Sequence, residues 1–190
     1  MFRNLAMFAL AAASLLGFAA PAAAAESRTE GASLFLQMHR VLVHPRCLNC
    51  HPKGDSPKQG DDAHVHVPPM TRGSHDSGPA GMHCDTCHQG ANFPASGVPG
   101  APTWNLAALS MAWEDKTPGE ICRQILDRRR NGDKSLAQIV AHLTEDKLVA
   151  WGWAPGVDVN GRTREPVPIP KPEFNRIVHA WADSGAACPD

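Results

Sequence analysis

The chain has 190 residues, 43% of them hydrophobic and 19% charged, with eighteen Lys and Arg against nineteen Asp and Glu. The resulting formal charge of −1 argues against a nucleic-acid binder, and the length suits one domain behind a short leader. Six cysteines, ten histidines and no tyrosine complete the composition, and the missing tyrosine has no physical account.

Residues 1–25 read as an export signal. Arg3 supplies a short positive start, Leu5 to Ala20 is almost wholly apolar, and Ala23-Ala24-Ala25 offers a small-residue cleavage site. The apolar run is short for a membrane anchor, which needs about twenty residues. The mature chain is therefore expected to begin near Glu26 in a periplasm. Without Arg3, seventeen basic residues then face nineteen acidic ones, a charge of −2, and no second apolar segment is long enough to span a membrane.

Glu30 to Val43 reads as a helix, with Leu34, Met38, Val41 and Leu42 forming one buried stripe and Pro45 ending it. His39 is expected to face solvent, and His44 to make a local hydrogen bond. Next comes Cys47-Leu48-Asn49-Cys50-His51, and later Cys84-Asp85-Thr86-Cys87-His88. Each is a C-x-x-C-H motif. Two thiols so spaced can add to the two vinyl groups of one porphyrin, and the following His then ligates the iron. Two haem c groups are thus expected, held by Cys47 and Cys50 and by Cys84 and Cys87, with His51 and His88 as proximal ligands. A four-thiolate zinc site is the alternative for paired C-x-x-C units. The thirty-three residues between Cys50 and Cys84, the His after each pair and the export signal all weigh against it.

Between residues 52 and 103, sixteen of fifty-two residues are Gly or Pro, and no stretch alternates as a half-buried strand would. A loop this long normally counts against its own assignment. A covalently held porphyrin changes that, because irregular chain can wrap it and bury apolar surface at ~25 cal/mol per Å². The segment is expected to be ordered by haem. His64 and His66 fall on one side of an extended stretch, with Val65 and Val67 on the other. His66 is the candidate distal ligand there, and Met82 lies too close to Cys84 to serve the second haem.

From Pro102 the chain is expected to turn helical. Met111, in the apolar run Trp104 to Trp113, is a second distal candidate, since thioether is a common sixth ligand. Thr117-Pro118-Gly119-Glu120 starts a helix that runs to Arg128-Arg129-Arg130 and stops at Asn131-Gly132. Ser135-Leu136-Ala137-Gln138 opens another, with Leu136, Ile139, Val140 and Leu143 inward. His142, at the edge of that stripe, is the third distal candidate. Trp151 and Trp153 are expected against haem or core, each N–H seeking an acceptor such as a haem propionate. A last helix turns Phe174, Ile177, Val178 and Trp181 inward, with His179 beside them. Cys122 and Cys188 remain, and in an oxidising compartment they suit a disulfide.

The fold expected is mainly α with long irregular loops and no substantial sheet. Only thirty-two residues lie between His51 and Cys84, so both haems must share one dihaem cytochrome c domain, 26–190. Within it, 26–103 forms a haem-attachment half and 104–190 a helical half.

Several stretches carry a resemblance beyond the motifs. They are His44-Pro45-Arg46-Cys47-Leu48-Asn49-Cys50-His51-Pro52-Lys53-Gly54-Asp55, Pro99-Gly100-Ala101-Pro102-Thr103-Trp104, Asp146-Lys147-Leu148-Val149-Ala150-Trp151-Gly152-Trp153 and Gly185-Ala186-Ala187-Cys188-Pro189. Over nearly all the mature chain it resembles exported dihaem proteins labelled isoquinoline 1-oxidoreductase subunits, cytochrome partners of molybdenum hydroxylases. The resemblance implies an electron-transfer subunit, with a molybdenum hydroxylase as donor and a respiratory chain as acceptor. Two other functions fit two haems: a peroxidase-like enzyme with one open iron, and a gas or redox sensor. Coordination separates them, because a carrier keeps both irons six-coordinate.

Overall fold

The computed structural model describes residues 20–190, with side chains from residue 24 onward. Most of the expected leader lies outside the described residues. Its last residues belong to α1 (Ala20–Leu42), which runs unbroken past Glu26.

The core is helical. α1 buries Phe35, Met38, Val41 and Leu42 against α6 (Lys171–Asp183), which buries Phe174, Ile177, Val178 and Trp181. Both sets recur at helical spacing, so each helix turns one apolar face to the other. Phe35, with its ring 5.6 Å from that of Trp181, is fully buried, while the expected Leu34 is only half-buried at the edge of the stripe. Gly31 makes the close approach possible, because a Cβ there would lie 2.9 Å from Ser184 Oγ and 3.1 Å from Ala187 Cβ.

Two further helices complete the core. α3 (Pro118–Leu126) and α4 (Leu136–Glu145) both begin with a capping box, closed by Glu120 on Thr117 and by Gln138 on Ser135. They contribute Ile121, Ile125, Ile139 and Leu143, each worth roughly 1.5–3 kcal/mol when fully buried. Cys122 and Cys188 form the expected disulfide, with Cα atoms 5.5 Å apart.

Three elements differ from the sequence reading. Pro45 does not stop α1. It is the first residue of the short α2 (Pro45–Leu48), capped by His44, whose Nδ1 accepts from Arg46 N. α3 ends at Leu126, so Arg128–Arg130 lie beyond it. Asp127 turns extended, and its carboxylate accepts from Arg129 N at 3.0 Å, fixing a turn instead. Residues 102–113 form no helix apart from one 3-10 turn, Leu109–Met111. Their backbone donors go elsewhere: Leu106 N to Asp76 O, Ala107 N to Cys50 O and Trp113 N to His51 O.

The sheet among the described residues is one two-stranded hairpin, β1 (Lys58–Gln59) with β2 (His64–Val65), pairing Lys58 with Val65 and Gln59 with His64. Across residues 53–97 no apolar side chain is buried. Polar side chains tie this segment down. Buried Arg72 donates to Asp76 Oδ1 at 2.5 Å, Ala107 O at 2.6 Å and Gly54 O at 3.1 Å. Asn92 donates to Ala154 O and accepts from Gly100 N and Trp151 Nε1. Arg164 reaches the carbonyls of Gly97, Pro155 and Val157.

Candidate functional site

The two C-x-x-C-H motifs sit in different settings but share one geometry. In the first, α2 carries Cys47 against the helical core, and the chain returns after the second motif to run alongside it. His51 Nδ1 lies 2.7 Å from Met111 O, and its ring stacks on Trp113 at 3.4 Å between centroids, 7° from parallel. Burial presses the His51 pKa down to about 4, against the pull of the Met111 carbonyl, with His142 and Arg72 adding positive charge nearby. A neutral imidazole results. Its Nδ1–H donates to the carbonyl and its Nε2 keeps a free lone pair.

The second motif occupies a 3-10 turn, Cys84–Thr86, followed by Cys87 and His88. His88 Nδ1 lies 2.8 Å from Pro99 O, and its ring stacks on Trp104 at 4.6 Å and 7°. Burial again lowers its pKa, opposed by the Pro99 carbonyl. The same tautomer follows. Gly100 is what lets Pro99 come near, because a Cβ there would run into the carbonyl oxygens of Gln89 and Ala91.

Burial favours the protonated thiol at Cys47, Cys50 and Cys84. Burial pushes Cys47 up to about 12 and Cys50 to about 11, and burial raises Cys84 as well. Cys84 itself adds to the rise at Cys50. Among the described residues no three His, Cys, Asp or Glu side chains converge as a bound ion would require. A porphyrin-held iron asks less, since four nitrogens come with the ring and the protein adds two axial ligands at most.

The distal candidates fall in three places. His66 follows β2, donates Nδ1–H to Pro68 O at 2.8 Å and stands 5.9 Å from the His88 ring, inclined by 66°. His142 lies half-exposed on α4 with Nδ1 3.1 Å from Asp146 Oδ2. Met111 gives its carbonyl to His51, so its backbone lies on the His51 side of any group that His51 ligates. His64 is exposed and pairs with Asp62, and His179 is exposed on α6.

Two tryptophans find the acceptors expected for them within the protein. Trp151 and Trp153 already donate to protein acceptors, Asn92 Oδ1 at 2.9 Å and Ile169 O at 2.6 Å. The buried indole N–H without a protein partner is that of Trp113, stacked on His51. Sequence reasoning also passed over Arg72, Asn92 and Gly100, none of which belongs to a periodic pattern. Comparisons with family models, with curated proteins and with solved structures find no match.

Proposed function

We propose that this protein is an exported dihaem c-type cytochrome that carries electrons from a partner oxidoreductase to a respiratory acceptor. One observation carries the reading. In both motifs the histidine is held by a backbone carbonyl at Nδ1, which leaves Nε2 free to ligate iron. Such a second-shell contact fixes the ring and raises its basicity as a ligand.

The residues fit the group. Cys47 and Cys50 would hold one haem c and Cys84 and Cys87 the other, with His51 and His88 as proximal ligands. When bound, haem c supplies a one-electron iron couple whose potential the axial ligands set. The unpartnered Trp113 N–H beside His51 lacks an acceptor, and a haem propionate is an acceptor of the right kind. Val65, Val67, Met82 and Phe93, exposed around the second motif, offer the apolar surface a porphyrin plate would cover. The resemblance supports a molybdenum hydroxylase as the donor, and the expected leader supports an encounter in a periplasm.

The test is intact-mass and visible spectroscopy on protein exported from cells competent in haem attachment. Two covalent haems are expected, falling to one in Cys47→Ser/Cys50→Ser and in Cys84→Ser/Cys87→Ser. Low-temperature EPR should then find both irons low-spin. A chain without covalent haem sinks the reading, and a persistent high-spin iron replaces the carrier with an enzyme or a sensor.

A further inference from the structure

We infer that His88 and His66 would both ligate the second haem iron, and that the first C-x-x-C-H motif positions His66. The inference rests on the dihaem reading and deepens it at one site.

The geometry of the two rings carries it. Two imidazoles on opposite sides of one metal, each with a bond of about 2 Å to nitrogen, have ring centroids roughly 6 Å apart. His66 and His88 stand 5.9 Å apart. Each Nδ1 is engaged by a proline carbonyl, Pro68 O for His66 and Pro99 O for His88, so each presents Nε2 as its ligating atom. A side chain in a solvated loop needs neither the fixed tautomer nor the facing partner. Of the loop's other donors, His75, His83 and Met82 are exposed, and His64, whose Nδ1 pairs with Asp62, is exposed as well.

The placement of His66 is built in from the first motif. Asn49, inside Cys47-Leu48-Asn49-Cys50, accepts at its backbone carbonyl from Lys58 N and donates its side-chain amide to Gly60 O. Those two bonds lock the β1–β2 hairpin. From there His66 N donates to Pro57 O and Val67 N to Gln59 Oε1, which sets the ring over the second motif. One haem-binding segment thus holds the distal ligand of the other.

The experiment uses the exported holoprotein, with haem counted first by mass. Protein without covalent haem removes the dihaem reading and this ligand with it; protein with two haems leaves the ligand to spectroscopy. In the oxidised protein, the 66° inclination should give a strongly anisotropic low-spin EPR signal, with an imidazole–imidazole band in near-infrared magnetic circular dichroism. In His66→Ala that signal should become high-spin and return on adding imidazole. His66→Met should keep both haems, convert the band to imidazole–thioether and raise one midpoint potential. His75→Ala, in the same loop, should change nothing. Both low-spin signals unaltered in His66→Ala overturn the assignment. Where that variant does not accumulate, an unaltered spectrum in His66→Met overturns it equally.

Discussion

His39 sits on α1 with Nε2 enclosed and no partner, although the sequence reading placed it in solvent. Burial holds its pKa below the ordinary 6.5. The unfolded chain therefore takes up this proton first as pH falls, and stability present above about 6.5 is lost below it. Between pH of about 7 and 5 the urea midpoint of His39→Met should decline less than that of the parent. The difference isolates His39 from His44, His51 and His88, whose rings burial also keeps neutral. Gly100 gives a second prediction at this scale. Gly100→Ala should push residues 99–100 away from Gln89 and Ala91 and slacken the Pro99 bond to His88. Its readout is a rise in the high-spin fraction at the second haem with the first unaltered. The motif cysteines and histidines stand out in the sequence by their spacing alone. Arg72, Asn92 and Gly100 do not, because each acts on backbone carbonyls or backbone space that no side-chain pattern records.

At the scale of elements, α3, α4 and α6 were legible from capping boxes and apolar stripes, which are local properties of the chain. The expected helix before Trp113 was not there, because its amides bond to Asp76, Cys50 and His51, partners far away in sequence. The disulfide ties α3 to the C-terminus across 66 residues. In the loop-entropy model that closure is worth about 4 kcal/mol, so Cys122→Ser/Cys188→Ser should lower Tm by on the order of 10 °C while both haems stay attached. The hairpin offers a different outcome. Asn49→Ala removes the amide bond to Gly60 and should disturb the second haem's ligand field more than the first's, read by EPR. Equal disturbance of both haems would mean that Asn49 merely supports its own motif.

For the whole molecule, α1, which precedes both motifs, shares one core with α3, α4 and α6, which follow them. Residues 53–97 add no buried apolar side chain and rely on Arg72, Asn92 and Arg164. Hydrogen exchange on haem-free chain should therefore find this segment open while the helices stay protected, and haem attachment should slow exchange there first. Slow exchange in 53–97 without haem would show that the polar ties suffice. The α1–α6 contact has a consequence for assembly. The principal partner of α1 lies at the opposite end of the chain, with both motifs between them. A chain emerging N-terminus first cannot close this core until α6 arrives, and Cys188 follows later still. Until then the four motif thiols remain on open polypeptide. On the dihaem reading proposed above, the order of residues would place cofactor insertion first and the lock last.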